Sequence, residues 1–281
     1  MSLAAEMRRR DGEDYADVAR RAAALGFRGV SLPYDEGWSD ADLIGIRQAF
    51  DEAGVAIVEL KCRCNFLTPR GDEAAQVVGR LQKALADGAI LNCDCATTYA
   101  GSRHPDPRQP LAPHPDNWDD ATWDLLIHRI WSLLGGVDDL GVCLCFEPCA
   151  TTTLNSLDSL SELNADAASF RVRIALDPAA IFTAAAAEHP AVGLAETFAT
   201  LADTIVLARA TDLALIEVGR EPVVQPAPLG EGVLDYPTYL KLLDALERDT
   251  PLVVRHQPTD DAYRAAHAFV ADAAKEAGLA L

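Results

Sequence analysis

Positive charge is scarce in this sequence. Its 281 residues carry 24 Lys+Arg, only four of them lysine, against 43 Asp+Glu, for a formal net charge of −19. So acidic a chain repels nucleic-acid phosphates and anionic membrane surfaces, and neither is an expected partner. Long apolar runs are missing as well, since no stretch approaches the roughly 18 residues that span a bilayer. The opening MSLAAEMRRRDGED puts its basic cluster after a short apolar stretch, the reverse of a secretory leader. A cytoplasmic location is the expectation.

Other absences narrow the class further. The seven cysteines fall as Cys62/Cys64, Cys93/Cys95, Cys143/Cys145 and a lone Cys149, with no C-x(2–4)-C pair of the kind zinc sites use. The odd count in a reducing compartment argues against a disulfide framework. On a strand, C-x-C spacing puts both thiols on one face, where cysteine acts as a small apolar filler. No G-x-G-x-x-G follows an early strand, so an open dinucleotide-binding sheet lacks its main support. No long Gly-, Ser- or Pro-rich linker divides the chain, and residues 1–281 read as one domain with a large core.

What is present alternates. Strand-like runs occur at 2–7, 28–33, 56–64, 89–97, 142–148, 173–177, 204–210 and 251–256. Between them apolar residues recur at helical steps: Tyr15, Val18, Ala19, Ala22 and Leu25, then Leu43, Ile46 and Phe50, then Val77, Leu81 and Leu85. Gly26, Gly54, Gly88 and Gly141 each stand just before a strand, where a helix end calls for a left-handed residue. Eight such units predict a closed parallel (β/α)8 TIM barrel, with the first strand the weakest in pattern.

Chemistry in that fold belongs at the C-terminal strand ends and the loops beyond them. This rule selects Lys61 to Asn65, Asp94, Glu147, Asp177, Arg209, Asp212, Arg255 and His256. The irregular stretch from Thr97 to Asp119, with five prolines and two histidines, reads as a wall or lid of the pocket. Parity sets Cys143, Cys145 and Glu147 on one face, so inward thiols imply an inward carboxylate. Such a group needs a cation, a donor or a raised pKa. For Glu147 a structural ion pair is the alternative to a catalytic role; for Asp177 it is an N-cap for a helix after Pro178.

The chain resembles the sugar isomerase and epimerase barrels related to xylose isomerase. The resemblance runs through ALGFRGVSL (24–32), HPDNW (114–118), GVCLCFEP (141–148), ALDPAAI (175–181), ARATD (208–212), GEGVLDYPTYL (230–240) and PLVVRH (251–256). It implies a divalent metal held by a Glu after strand five, an Asp after strand six, a His after strand seven and a Glu after strand eight, with the two glutamates passing protons through an enediolate. Glu147 and Asp177 fall on the first two positions and are the expected catalytic pair. Arg209 and Arg255 fall on the other two, and Ala180 stands where a further polar residue is usual. A guanidinium offers only donors and charge, so it neither ligates metal nor removes a proton near neutrality.

Two arginines can balance two carboxylates through bidentate pairing, so loss of the metal is expected, with no other cofactor. The partner expected is a small polar substrate, anionic where arginines hold it; a homo-oligomer is compatible with the sequence. Substrate contacts are expected from Arg209, Arg255, His256, His114, Trp118, Lys61 and Asp212. His256 is a strand-eight alternative only if the alignment slips by one residue, and parity would then turn it outward. Lys61 and Arg63 oppose Cys62 and Cys64, so one pair alone can face inward. The Gly230-x-Gly232 turn reads as a tight loop rather than a phosphate cradle. Three functions are open: an isomerase or epimerase on a keto sugar or polyol, a metal-free relative recognising an anion, and an inert binding module. The DNA-repair branch of the family conflicts with the charge of −19.

Overall fold

Eight parallel strands close into a barrel in the order β1 (Leu3–Glu6), β10 (Leu252–Val254), β7 (Ile205–Ala210), β6 (Val172–Leu176), β5 (Cys143–Phe146), β4 (Cys95–Tyr99), β3 (Ala56–Asn65), β2 (Gly29–Pro33). The computed structural model describes residues 1–106, 108–138 and 140–280, which leaves Pro107 of the 97–119 loop outside the described residues. Helices α1 (Tyr15–Ala24), α2 (Asp40–Ala53), α3 (Gly71–Ile90), α4 (Asp120–Gly135), α5 (Leu157–Ala167), α6 (Pro178–Ile181), α7 (Ala184–Glu188), α8 (Pro190–Leu201), α9 (Tyr236–Asp244) and α10 (Asp260–Ala277) separate the strands. This is the (β/α)8 barrel expected from the sequence, first strand included. Among the described residues no helix is long and apolar enough to cross a membrane.

The helices form where the apolar spacing put them, and seven of the ten among the described residues start at a side-chain cap. In α2 the buried face is Leu43, Ile46 and Phe50, Ser39 and Asp42 form a reciprocal capping box, and Gly54 closes the helix with φ 67°. The same logic failed at one point. The strand anticipated from residue 89 starts at Cys95, because α3 runs on to Ile90 and carries Gly88 inside it. A Cβ at Gly88 would lie 3.1 Å from Val142, so this glycine serves close packing, and Asn92 (φ 56°) makes the left-handed turn.

One element was not anticipated. After β7 the chain forms an antiparallel hairpin, β8 (Asp212–Val218) and β9 (Glu221–Ala227), outside the barrel. Asp212 anchors its base: the carboxylate accepts backbone N–H from Leu213 (2.8 Å) and from Gly230, Gly232 and Leu234 (3.1 Å each).

The interior has two parts. The larger packs strand outer faces against helices, with Leu60, Cys62, Leu144, Phe146, Ile174, Ala208 and Val254 among its members. The smaller lies inside the barrel and joins Ala4, Val58, Cys95, Cys145, Ala175, Val206, Leu207 and Val253. Two register shifts help to shape it. Val30 pairs with Ile57 but Ser31 with Glu59, so Val58 is an extra residue on β3. Likewise Ile174 pairs with Ile205 but Ala175 with Leu207, so Val206 is an extra residue on β7. A bulge breaks the two-residue alternation and turns the residues beyond it to the other face.

Candidate functional site

Above the inner apolar layer, at the C-terminal strand ends, the lumen is filled with charge. Parity carries Glu147 inward behind Cys143 and Cys145, as expected. The bulges do the rest: they turn Glu59 of β3 and Arg209 of β7 inward, where strict alternation with Ile57 and Ile205 would have faced them to the helices. Arg209 is fully buried and grips Glu59 with both terminal nitrogens, Nη1 to Oε2 and Nη2 to Oε1, at 2.6 Å each. Its Nη2 also donates to Glu147 Oε2. Thr97 donates its hydroxyl to Glu59.

Arg255 closes the cluster from the mouth, with its side chain about one-third exposed. Its Nη2 donates to Glu147 Oε1 at 3.0 Å and to Asp177 Oδ2 at 2.5 Å. Tyr99 adds a hydroxyl to Glu147 Oε1 (3.0 Å), and Thr211 adds one to Asp177 Oδ1 (2.6 Å). Asp177 also accepts from Ala179 N at 3.2 Å, so it caps α6 and joins the charged cluster at once. On the opposite wall, Lys61 Nζ bonds Glu6 at 2.9 Å and sits 3.5 Å from Glu147, while Arg63 reaches Glu6 at 3.3 Å. Glu6, Glu59, Glu147 and Asp177 are thus each met by at least one of Lys61, Arg209 and Arg255.

The electrostatics follow from those pairings. Burial by itself would raise Glu147, but Arg209, Lys61 and Arg255 at its oxygens hold it well below the usual carboxylate range. Glu59 behaves alike: burial opposes ionisation, and Arg209 and then Lys61 overcome it, bringing the carboxyl down to about 2. Glu6 is lowered by Lys61 and Arg63 against the same burial. Lys61 is itself lowered, by burial first and by Arg209 next.

A divalent metal does not fit this arrangement. Both oxygens of Glu147 and both of Asp177 already accept hydrogen bonds from side chains or backbone. A dication would have to displace guanidiniums and then stand beside them with too few anionic ligands. Among the described residues no group of three or more His, Cys, Asp and Glu is arranged to hold a metal ion.

Of the residues anticipated at the site, Glu147, Asp177, Arg209, Arg255 and Lys61 converge. Arg209 needs a correction, because a side chain with no exposure cannot touch a substrate; it is an internal counter-ion. Asp212 needs another, since its four backbone N–H partners make it the clamp of the hairpin. His256 is exposed and turned outward, with Nδ1 3.3 Å from the Tyr263 hydroxyl of α10. His114 caps a short 3-10 turn (Pro115–Trp118) and meets His104 edge-on at 6.2 Å; Trp118 is 52% exposed. Neither has a described contact with the charged cluster. The buried member of HPDNW is Asn117, which bonds Ser102, Arg103 N, Ala112 O and Thr151 O and so staples the loop to itself and to the segment after β5.

Glu59, Glu6 and Tyr99 were not anticipated. A signal existed for Glu59: a carboxylate inside the apolar run AIVELKC is costly unless a buried cation answers it.

Comparison with known proteins places this geometry. No curated protein matches the sequence. Among solved structures, a xylose isomerase-like TIM barrel protein from Mycobacterium smegmatis in complex with magnesium superposes with TM-score 0.72 at 16% identity, covering 98% of this chain and 97% of that one. D-psicose 3-epimerase with D-tagatose from Clostridium cellulolyticum H10 gives 0.71 at 11% identity, covering 97% and 99%. A probable 3-DHS dehydratase involved in petrobactin synthesis from Bacillus anthracis gives 0.70 at 14%, covering 95% and 97%. At such identities these likenesses speak to the fold. The sequence profile of the xylose isomerase-like TIM barrel matches residues 19–273, and the chain belongs to that family.

Proposed function

We propose that this barrel works without a divalent metal and recognises a small polyhydroxylated anion, a sugar acid by class, at the open side of Arg255. The observation that carries the reading is the Nη2 of Arg255, which bridges Glu147 and Asp177 at 3.0 and 2.5 Å, the two carboxylates the resemblance assigns to a metal. Its other guanidinium nitrogens have no described partner, and the side chain is one-third exposed, so donors remain for a carboxylate arriving from solvent. Enediolate chemistry is disfavoured on the same grounds. A base works best with a pKa near the working pH, and Glu147 is held far below it by Arg209, Lys61 and Arg255. An epimerase with D-tagatose among the structural neighbours suits a ligand of this size and polarity.

Calorimetric titration tests both halves. Magnesium, manganese and zinc should give no saturable heat, and elemental analysis of untreated protein should find no stoichiometric metal. Metal bound one to one and lost in Glu147→Gln would sink the reading. A panel of sugar acids should bind where the corresponding neutral sugars do not, and Arg255→Gln should abolish that binding. Arg209→His with Arg255→Glu should create a metal site.

A further inference from the structure

The densest basic run of this acidic chain, Arg8-Arg9-Arg10, follows β1 at the functional end of the barrel. Arg10 is engaged, reaching Asp260 at the start of α10 with 3.2 and 2.5 Å bonds. Arg8 and Arg9 instead line a cleft of about 490 Å³ at the ends of β1 and β2, together with Arg80 of α3 and with Tyr15 and Tyr34. That volume suits a small ligand.

Two of the three guanidiniums are held on aromatic rings, Arg9 over Tyr15 at 4.8 Å and Arg80 over Tyr34 at 6.0 Å, contacts that leave a guanidinium its charge for a ligand. The Nε of Arg80 is buried without a hydrogen-bond partner, and its ion-pair oxygen on Glu36 stands 3.6 Å away on a side chain 63% exposed. Arg8 is the third cation on Glu6, at 3.7 Å, behind Lys61 at 2.9 Å and Arg63 at 3.3 Å, so Glu6 does not neutralise it. Of the acids in the cleft, Asp35 accepts from Gly37 N at 2.9 Å and Glu36 faces solvent. The cleft therefore holds three cations against two carboxylates in a chain of charge −19.

We propose that this cleft is a phosphate site, which takes the phosphate monoester of a small molecule between Arg8, Arg9 and Arg80. A carboxylate brings two acceptor oxygens and one charge; a phosphate dianion brings three oxygens and two charges and is the better match to three guanidiniums. Arg255 lines no part of the cleft, so the site stands independently of the sugar-acid reading.

Inorganic phosphate and glycerol phosphate, titrated calorimetrically at low salt, should each bind one to one. Affinity should fall at least tenfold in Arg80→Gln and in Arg9→Gln, and Arg255→Gln should leave it unchanged. Circular dichroism checks that each variant is folded, and Arg8→Gln stands in for either that is not. Absence of saturable phosphate binding overturns the proposal. So does binding unchanged in both Arg80→Gln and Arg9→Gln, or acetate binding as tightly as phosphate.

Discussion

The barrel lumen has two layers built from the same strands, and they obey opposite rules. Ala4, Cys95, Cys145, Ala175, Leu207 and Val253 make the lower layer; two residues further along the same strands stand Glu6, Thr97, Glu147, Asp177, Arg209 and Arg255. The lower layer is stabilised by burial of apolar surface, which asks only for the right volume. The upper layer takes charges out of water, and its Coulomb attraction does little more than offset that cost. Its members depend on one another, most of all Arg209 and Glu59, where removing the arginine alone leaves a buried carboxylate without its ion-pair partner.

The largest effect expected from this contrast is in Arg209→Met, which strands Glu59 and removes one of the three cations at Glu147. Urea unfolding at pH 7 should show a loss of about 4 kcal/mol. Glu59→Leu combined with Arg209→Met should recover a substantial part, and a double variant no more stable than the single would break the comparison.

Acid should separate the layers next. The folded carboxyl of Glu59 lies at about 2 against an ordinary 4.5. A depressed folded pKa contributes stability that is present above about pH 4.5 and lost as pH falls toward about 2. At about 1.4 kcal/mol per pKa unit, Glu59 alone accounts for a loss on the order of 3 kcal/mol. Urea midpoints between pH 7 and pH 3 should fall steeply in the parent, and the fall should be blunted in Arg209→Met.

The lower layer should behave differently. Leu207→Ala should cost about 2–3 kcal/mol through the cavity it leaves, with the parent's pH slope unchanged. The smallest effect belongs outside the barrel. Arg20 pairs with Asp17 at 2.5 Å, but the two side chains are 68% and 41% exposed, so Arg20→Gln should leave the urea midpoint unmoved.

Much of this was legible in the residues, and the failures have identifiable causes. The face Leu43, Ile46 and Phe50 predicted α2 because one apolar stripe at helical spacing has one packing solution. The Cys143, Cys145, Glu147 series predicted an inward carboxylate because β5 has no bulge to break its alternation. The start of β4 was misplaced because a glycine inside a helix and one at its end look alike in sequence. The hairpin was missed although Gly219 and Arg220 separate two alternating runs; Pro222 and Pro226 weakened the second run, and on an edge strand proline is tolerated. Asp212 misled because a strand-end aspartate looks the same whether it faces a ligand or four backbone N–H groups.

Local pattern was enough for the alternation of strands and helices, the closed barrel and the presence of two carboxylates and two arginines at its functional end. Each depends on neighbours a few residues apart in the chain. The pairing of Arg209 with Glu59 does not, since the two are 150 positions apart in the chain and both side chains face inward through bulges in β7 and β3. A bulge arises from the register between adjacent strands, a relation that exists only once the barrel closes. That closure made Arg209 a buried counter-ion and left Arg255 as the arginine of the cluster's two strand-end positions that meets solvent.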